Sequence, residues 1–370
     1  MKPGTKNSIT DVEGINVGHA QDKKLMSGTT VILPEKPAVA AVDCRGGAPG
    51  TRETDVLNPA NLIDEIHAIV LSGGSAMGLD AASGVVSSLK KLGRGFPVAK
   101  DVSVPIVPTA ILFDLLNGGE KSCIKEHTYF EFGKTAVLDA SCEFPLGTVG
   151  AGTGAKAGTL KGGVGTSSLV QKSENSIGYT VGALAVTNSF GSVTLPELPD
   201  FWAWPFEQNS EFGGRGTPKK PTNSKSNLQK NISELVLDYD FESPFKAPNQ
   251  SEENNESSRN NYTSKIKIPT NTTLCVVATD ASLNKAQAKR VAIMAQDGLA
   301  RAIRPVHTPF DGDTVFVLST GQIKLTKTLP TDIARIGMMA SDCVSRAIAR
   351  GVYAADSLGT MQSYGDWVKT

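Results

Sequence analysis

Thr272 opens the run Thr272-Thr273-Leu274-Cys275-Val276-Val277-Ala278-Thr279, a β-rich apolar stretch that directly follows Asn271 and a long polar segment. Two chemistries suit a Thr in that position. It can begin an ordinary buried strand, for which its β-propensity fits it. It can also become a chain terminus: a cut between Asn271 and Thr272 would place a free α-amine beside the Thr272 hydroxyl, uniting base and nucleophile in one residue. An α-amine titrates at about 7.7 to 8.0 when unperturbed, close to where a general base works best at neutral pH.

A second chemical feature is Phe310-Asp311-Gly312-Asp313-Thr314, immediately before the apolar run Val315 to Leu318. Carboxylates two residues apart at a turn can converge on one hydroxyl or amine. The same Asp-Gly-Asp is also a good turn into a strand. Other motifs carry less. Gly150-Ala151-Gly152-Thr153-Gly154-Ala155 has dinucleotide-loop spacing, but no strand-to-helix crossover is legible around it and glycines continue to Gly165, so no nicotinamide site is expected. Neither Lys156 nor Lys161 is followed by the hydroxyl residue of a nucleotide-phosphate loop. Ser75 in Gly73-Gly74-Ser75-Ala76-Met77 resembles a nucleophile elbow only as far as Met77, where that motif requires glycine, and reads as a turn.

The elements that must position these residues are legible from periodicity. Short β-branched or apolar runs at Thr29 to Leu33, Ala38 to Val42, Ala68 to Leu71, Val181 to Val186, Leu274 to Thr279 and Thr314 to Leu318 predict buried strands. Helical spacing of apolar residues predicts three amphipathic helices, over 79–92, 288–303 and 333–348. The second starts with Asn284 and Gln287, a capping-box pair, and its Lys285, Lys289 and Arg290 are expected on the solvated side. Residues 205–268, rich in Asn, Ser, Glu, Lys and Pro, predict a flexible linker that ends where Thr272 begins.

Composition narrows the class. A chain of 370 residues with 39% hydrophobic content can bury a large core. Its 37 basic and 37 acidic residues balance, so no nucleic acid or anionic membrane is expected as partner. No stretch predicts a secretory signal or a membrane span, and the expected compartment is the cytoplasm. Cys44, Cys123, Cys142, Cys275 and Cys343 form no C-x-x-C pair and are expected as reduced structural thiols. The four histidines show no metal-ligand spacing, so neither metal nor cofactor is expected.

Several ordered segments together resemble one family: Ile9 to His19, Gly46-Gly47-Ala48-Pro49-Gly50-Thr51-Arg52-Glu53-Thr54-Asp55, Leu71 to Ser75, Gly150 to Gly154, and Lys161-Gly162-Gly163-Val164-Gly165-Thr166-Ser167-Ser168. They are similar to the DmpA-like aminopeptidases and the nylon oligomer hydrolases, across almost the whole chain outside the linker. The resemblance implies an α/β protein with a four-layer α-β-β-α sandwich, self-cleaved into an α-chain, 1–271, and a β-chain, 272–370, that share one core. It implies Thr272 as nucleophile with Asn271 and Thr272 flanking the cut, Asn188 as oxyanion donor, and Asp311 and Asp313 as the acidic pair of the nylon-hydrolase branch. That branch also has an active-site lysine, for which Lys161 is the first candidate and Lys156 the second. A salt bridge or a solvated tip is the other reading of either lysine. The implied substrate is a small peptide or an ω-amino-acid oligomer, and the implied assembly is a homo-oligomer. An aminopeptidase, an acyltransferase and an uncut, non-enzymatic scaffold are the alternatives. The aminopeptidase branch carries Ser and Glu where this chain has Asp311 and Asp313.

Overall fold

The structure is a computed structural model that describes residues 1–173, 176–219, 271–325 and 329–369. Its strands in chain order are β1 (Ile15–Asp22), β2 (Ser27–Pro34), β3 (Ala38–Cys44), β4 (Gly50–Arg52), β5 (Glu65–Ile66), β6 (Ile69–Ser72), β7 (Phe96–Ala99), β8 (Val102–Val104), β9 (Thr109–Ile111), β10 (Lys156–Ala157), β11 (Leu160–Lys161), β12 (Gly163–Ser173), β13 (Ser176–Asn188), β14 (Thr272–Ala281) and β15 (Thr314–Ile323). The main helices are α1 (Ala81–Lys91), α2 (Thr128–Asp139), α3 (Lys285–Ala302) and α4 (Leu329–Tyr353).

Among the described residues, one sheet runs β1-β2-β6-β9-β4 and a second β12-β13-β14-β15-β3-β5. Three apolar layers separate four structural ones. Leu274, Val276, Ala278, Phe316 and Leu318 meet Ile15, Val17, Ile32, Ile69 and Leu71 between the sheets. The alternate residues Cys275, Val277, Val315 and Val317 face Val291, Ala295, Leu299, Ala340, Val344 and Ile348 of α3 and α4. Val31 and Val70 of the first sheet pack on Val85, Leu89 and Ala136 of α1 and α2. This is the α-β-β-α sandwich expected. Strands buried on both faces read as unbroken apolar runs, which is why β14 and β15 were visible in the sequence. Each such Val or Leu contributes about 1.5–3 kcal/mol by burial.

Strand β14 pairs antiparallel with β13 and parallel with β15. A parallel pair requires a crossover, and α3 supplies it. The helix begins at the expected capping box, in which Asn284 Oδ1 accepts from Gln287 N at 2.9 Å and Gln287 Oε1 from Asn284 N at 2.9 Å.

Two expectations differ in the structure. Of the three charges assigned to the solvated side of α3, only Arg290 is exposed. Lys285 is buried, its Nζ donating to the Val56, Asn61 and Ile63 carbonyls at 3.1, 2.9 and 2.8 Å. Lys289 donates to Val42 O and Asp43 Oδ1, both at 2.7 Å. Helical periodicity shows the apolar face but not a neighbouring loop whose carbonyls want donors. Of the expected linker, residues 205–219 are described and pack on the body: Phe212 is buried against Phe201, and Glu211 pairs with Arg346 of α4. Residues 220–268 lie outside the described residues. Of the five thiols, Cys275 and Cys343 are buried and Cys44, Cys123 and Cys142 exposed, all unpaired. No described helix is long and apolar enough to cross a membrane.

Candidate active site

Strand register brings the expected residues together. In the β13–β14 pairing Thr272 stands opposite Asn188. In the β14–β15 pairing Leu274 stands opposite Thr314, so Thr272, two residues earlier, comes beside Gly312. Directly opposed residues on neighbouring strands share a face, which sets the Thr272 and Asn188 side chains on one side of the sheet. Asn271 continues the contact as a bridge to Asp311, with Asn271 N donating to Phe310 O at 3.1 Å.

The Asn271 carbonyl is the focus of the geometry. The Thr272 hydroxyl donates to it at 2.5 Å, and Gly312 N donates to it at 2.9 Å. The nucleophile candidate therefore lies on the bond it would cut, and a backbone N–H already points at the oxygen that would gain charge. Glycine is required at 312: a Cβ there would come within 2.6 Å of Thr272 Oγ1 and 2.8 Å of the Ala48 carbonyl. The Gly46-Gly47 segment lies equally close on the other side, a Cβ on Gly46 meeting Asp311 O at 2.3 Å. That is a physical reason for the glycines of one matching segment.

Both carboxylates are buried and occupied. Asp311 Oδ2 accepts from Thr308 Oγ1 at 2.6 Å and Thr308 N at 3.0 Å, and its Oδ1 from Phe190 N at 3.2 Å. Asp313 Oδ1 accepts from Thr273 N at 2.8 Å, and its Oδ2 from His307 N at 3.1 Å and His307 Nδ1 at 2.9 Å. Burial, and then the neighbouring Asp313 charge, raise Asp311 to about 6 against the pull of its hydrogen bonds. Among the described residues no Lys or Arg pairs with either carboxylate.

Asn188 is fixed in one orientation. Its Oδ1 accepts from the backbone N–H of Lys156 at 2.9 Å and from Asn117 Nδ2 at 3.3 Å, while its Nδ2 donates to Phe113 O at 3.2 Å. A backbone N–H can only donate, so the amide cannot flip, and its second N–H has no bond among the described residues.

Lys161 is fully buried, its Nζ donating to the Gly152 and Gly162 carbonyls at 2.7 Å each. Burial lowers it to about 7, partly offset by the charges of Asp114 and Asp356. No hydrogen bond among the described residues joins it to Thr272, Asn188, Asp311 or Asp313. Lys156 reaches the site through its backbone N–H on Asn188. The structure thus brings Thr272, Asn188, Asp311 and Asp313 to one corner, while Lys161 lies in β11, opposite Lys156 of β10, whose backbone N–H bonds Asn188.

Sequence reasoning passed over Gly312, Asn117 and His307; for the last, the run His307-Thr-Pro-Phe-Asp-Gly-Asp313 was the available signal. The glycine motifs set aside as nucleotide loop and elbow are packing devices. Gly73 abuts Asp114 and Gly74, at φ +85°, abuts Tyr129, where any Cβ would collide. Surface cavities of about 310, 490 and 650 Å³ are lined by other segments and do not include Thr272, which is 4% exposed.

Comparison with known proteins decides the family, since the model of peptidase family S58 matches residues 7–364. The chain belongs to peptidase family S58. This S58 peptidase is 41% identical over 379 residues to an uncharacterised aminopeptidase of Mycobacterium bovis, covering 97% of each chain. It is 26% identical over 343 residues to the 6-aminohexanoate-oligomer endohydrolase of Kocuria sp. (strain KY2), covering 90% of this chain and 80% of that one. Its fold is similar to the L-aminopeptidase D-Ala-esterase/amidase of Ochrobactrum anthropi, a variant of the Ntn-hydrolase fold, with TM-score 0.66, 19% identity, and 99% and 93% of the two chains covered. A β-aminopeptidase of Burkholderia sp. gives TM-score 0.66 at 20% identity, with 98% and 90% covered. The S58 chain is a hydrolase acting on amide or peptide bonds.

Proposed function

We propose that the chain is a self-processing N-terminal-nucleophile amidohydrolase whose nucleophile is Thr272. The observation that carries this reading is the Asn271 carbonyl, held between the Thr272 hydroxyl and the Gly312 N–H. In self-processing, Thr272 Oγ1 attacks the Asn271 carbonyl carbon and the C–N bond breaks. The hydroxyl proton passes to the departing nitrogen, leaving an ester. Water cleaves that ester, giving a carboxylate on Asn271 and a free α-amine on Thr272. The products are an α-chain of 1–271 and a β-chain of 272–370.

The new amine enters a corner with two buried carboxylates that no Lys or Arg pairs with among the described residues, and its ammonium form would supply a cation there. In turnover the neutral amine takes the Thr272 hydroxyl proton as the oxygen attacks a substrate amide, and returns it to the leaving amine. The second N–H of Asn188, without a bond among the described residues, would donate to the tetrahedral oxyanion. Water then releases the acyl group. Lys161, its pKa lowered by burial, acts on the site through the β10–β11 turn, tying the Gly152 and Gly162 carbonyls beside the Lys156 N–H that holds Asn188.

The substrate class is a small peptide or an ω-amino-acid oligomer, hydrolysed within a homo-oligomer of αβ units. The acidic pair and the Asn-Thr-Thr cut motif, which resemble the nylon-hydrolase branch, favour an oligomer. Aminopeptidase action is the second reading, favoured by the name of the 41% identical relative. Replacing Thr272 by Ala tests the common mechanism: the variant is expected to remain one 38.9 kDa chain without activity. A Thr272→Ala protein that cuts itself or hydrolyses amides would overturn it.

A further inference from the structure

His307 lies six residues before Asp313, outside every motif read in the sequence. Its backbone takes the left-handed conformation, φ +54°, which a non-glycine residue adopts at a cost. That conformation lets one residue reach the same carboxylate oxygen twice, through its backbone N–H at 3.1 Å and through ring Nδ1 at 2.9 Å. A carboxylate partner makes Nδ1 the protonated nitrogen. The loop is clamped on both sides. A Cβ on Gly191 would meet Pro305 O at 2.0 Å, and a Cβ on Gly47 would meet Pro309 Cα at 2.7 Å.

We propose that His307 is a positioning residue of the hydrolase site: it pins Asp313 Oδ2, so that Oδ1 stays on the Thr273 N–H and fixes the strand end that presents Thr272. The inference rests on the reading of Thr272 as nucleophile. Before the cut, residue 272 is held from both directions along the chain. After it, the first backbone N–H beyond the nucleophile is the one bonded to Asp313, and that bond sets the direction of the new terminus. Asp313 has one oxygen for this task only while the other is engaged. A carboxylate held by Thr273 alone could rotate, and a shift of about 1 Å at a nucleophile costs on the order of a hundredfold in rate.

Two replacements suit a positive φ and so separate function from backbone strain. Asn tolerates the left-handed region and its side-chain NH2 stands near the place of Nδ1–H. Gly adopts the same backbone freely and leaves a space that added imidazole can enter, since the His307 side chain is 20% exposed. Each is assayed after melting curves show a folded protein and mass analysis shows correct cutting. His307→Gly is expected to lose about a hundredfold in kcat with KM within about threefold, and imidazole is expected to restore at least tenfold. His307→Asn is expected to stay within about fivefold of the wild type. Wild-type turnover by His307→Gly overturns the proposal, and so does a loss that neither imidazole nor Asn repairs. An amide-mimicking acylating probe, mapped by mass, separates this inference from the one beneath it. A label elsewhere than Thr272 sinks the nucleophile reading, whereas a label on Thr272 with unaffected His307 variants sinks only the role of His307.

Discussion

Asp114 and Asp311 are both buried carboxylates that stand close to Asn188 in the hydrogen-bond network. Asp114 follows Phe113, whose carbonyl holds the Asn188 amide, and Asp311 receives the N–H of Phe190. Burial pushes both upward, and there the likeness ends. Asp114 accepts from Ser27 Oγ at 2.7 Å and Gly74 N at 3.0 Å, has Lys121 Nζ at 3.8 Å, and offsets the buried Lys161. Asp311 has a second carboxylate as its charged neighbour, and that charge raises it further. A buried acid balanced by lysines ties segments together. A like-charge pair without a Lys or Arg partner among the described residues, beside a hydroxyl that donates to its own peptide carbonyl, would suit the cation that the proposed cut creates.

Changes that strike these two corners differently sharpen or break the comparison. Asn188→Ala removes the group between them and is expected to have the largest effect, on the order of several hundredfold in kcat, as for loss of one oxyanion donor. Retention of most activity in correctly cut Asn188→Ala would take Asn188 out of the mechanism. Asp311→Asn and Asp313→Asn keep size and turn propensity while removing charge. Each is expected to lower turnover of a short amide by about a hundredfold, in processed and folded protein. Wild-type rates in both would return the pair to the role of a turn. Asp114→Asn should do the reverse. It leaves Lys161 buried with less counter-charge, so melting is expected to report a loss of about 3 kcal/mol, with kcat per folded molecule changed less than tenfold.

The pH response of Asp311 carries a sign that can be checked. Its pKa is raised to about 6, so the folded state binds this proton more tightly than the unfolded chain. The associated stability is present below the ordinary carboxylate range and is lost as pH rises through about 6. In the proposed mechanism activity requires the ionised form, so it is expected to run the other way and fall as pH drops through the carboxylate range. Stability and kcat measured across that window should therefore diverge in the wild type, and the stability slope should flatten in Asp311→Asn. The smallest effect is expected from deleting residues 222–262, whose composition cannot support a packed core; processing and turnover should persist, and loss of folding would show that composition misled.

What was legible in the sequence follows from which forces act locally. Doubly buried strands announced themselves as apolar runs, and α3 announced its start through Asn284 and Gln287. The layered fold and the roles at Thr272, Asn188 and the Asp pair came from resemblance, and strand register then brought those four residues to one corner. Lys285 was misplaced because its partners are carbonyls of residues 56–63, far away in sequence. His307 was passed over because its bond to Asp313 depends on a positive φ that no residue type dictates. Gly312 looked like turn chemistry, and only the approach of Thr272 gives it a further reason.

The central claim is that the chain cuts itself between Asn271 and Thr272 and works through the terminus so made. Intact mass together with N-terminal sequencing of the purified, active protein tests it most directly. The account predicts two chains, the smaller reading Thr-Thr-Leu-Cys from its first residue. A single active chain of 38.9 kDa, or a small chain beginning at Thr273, would contradict it.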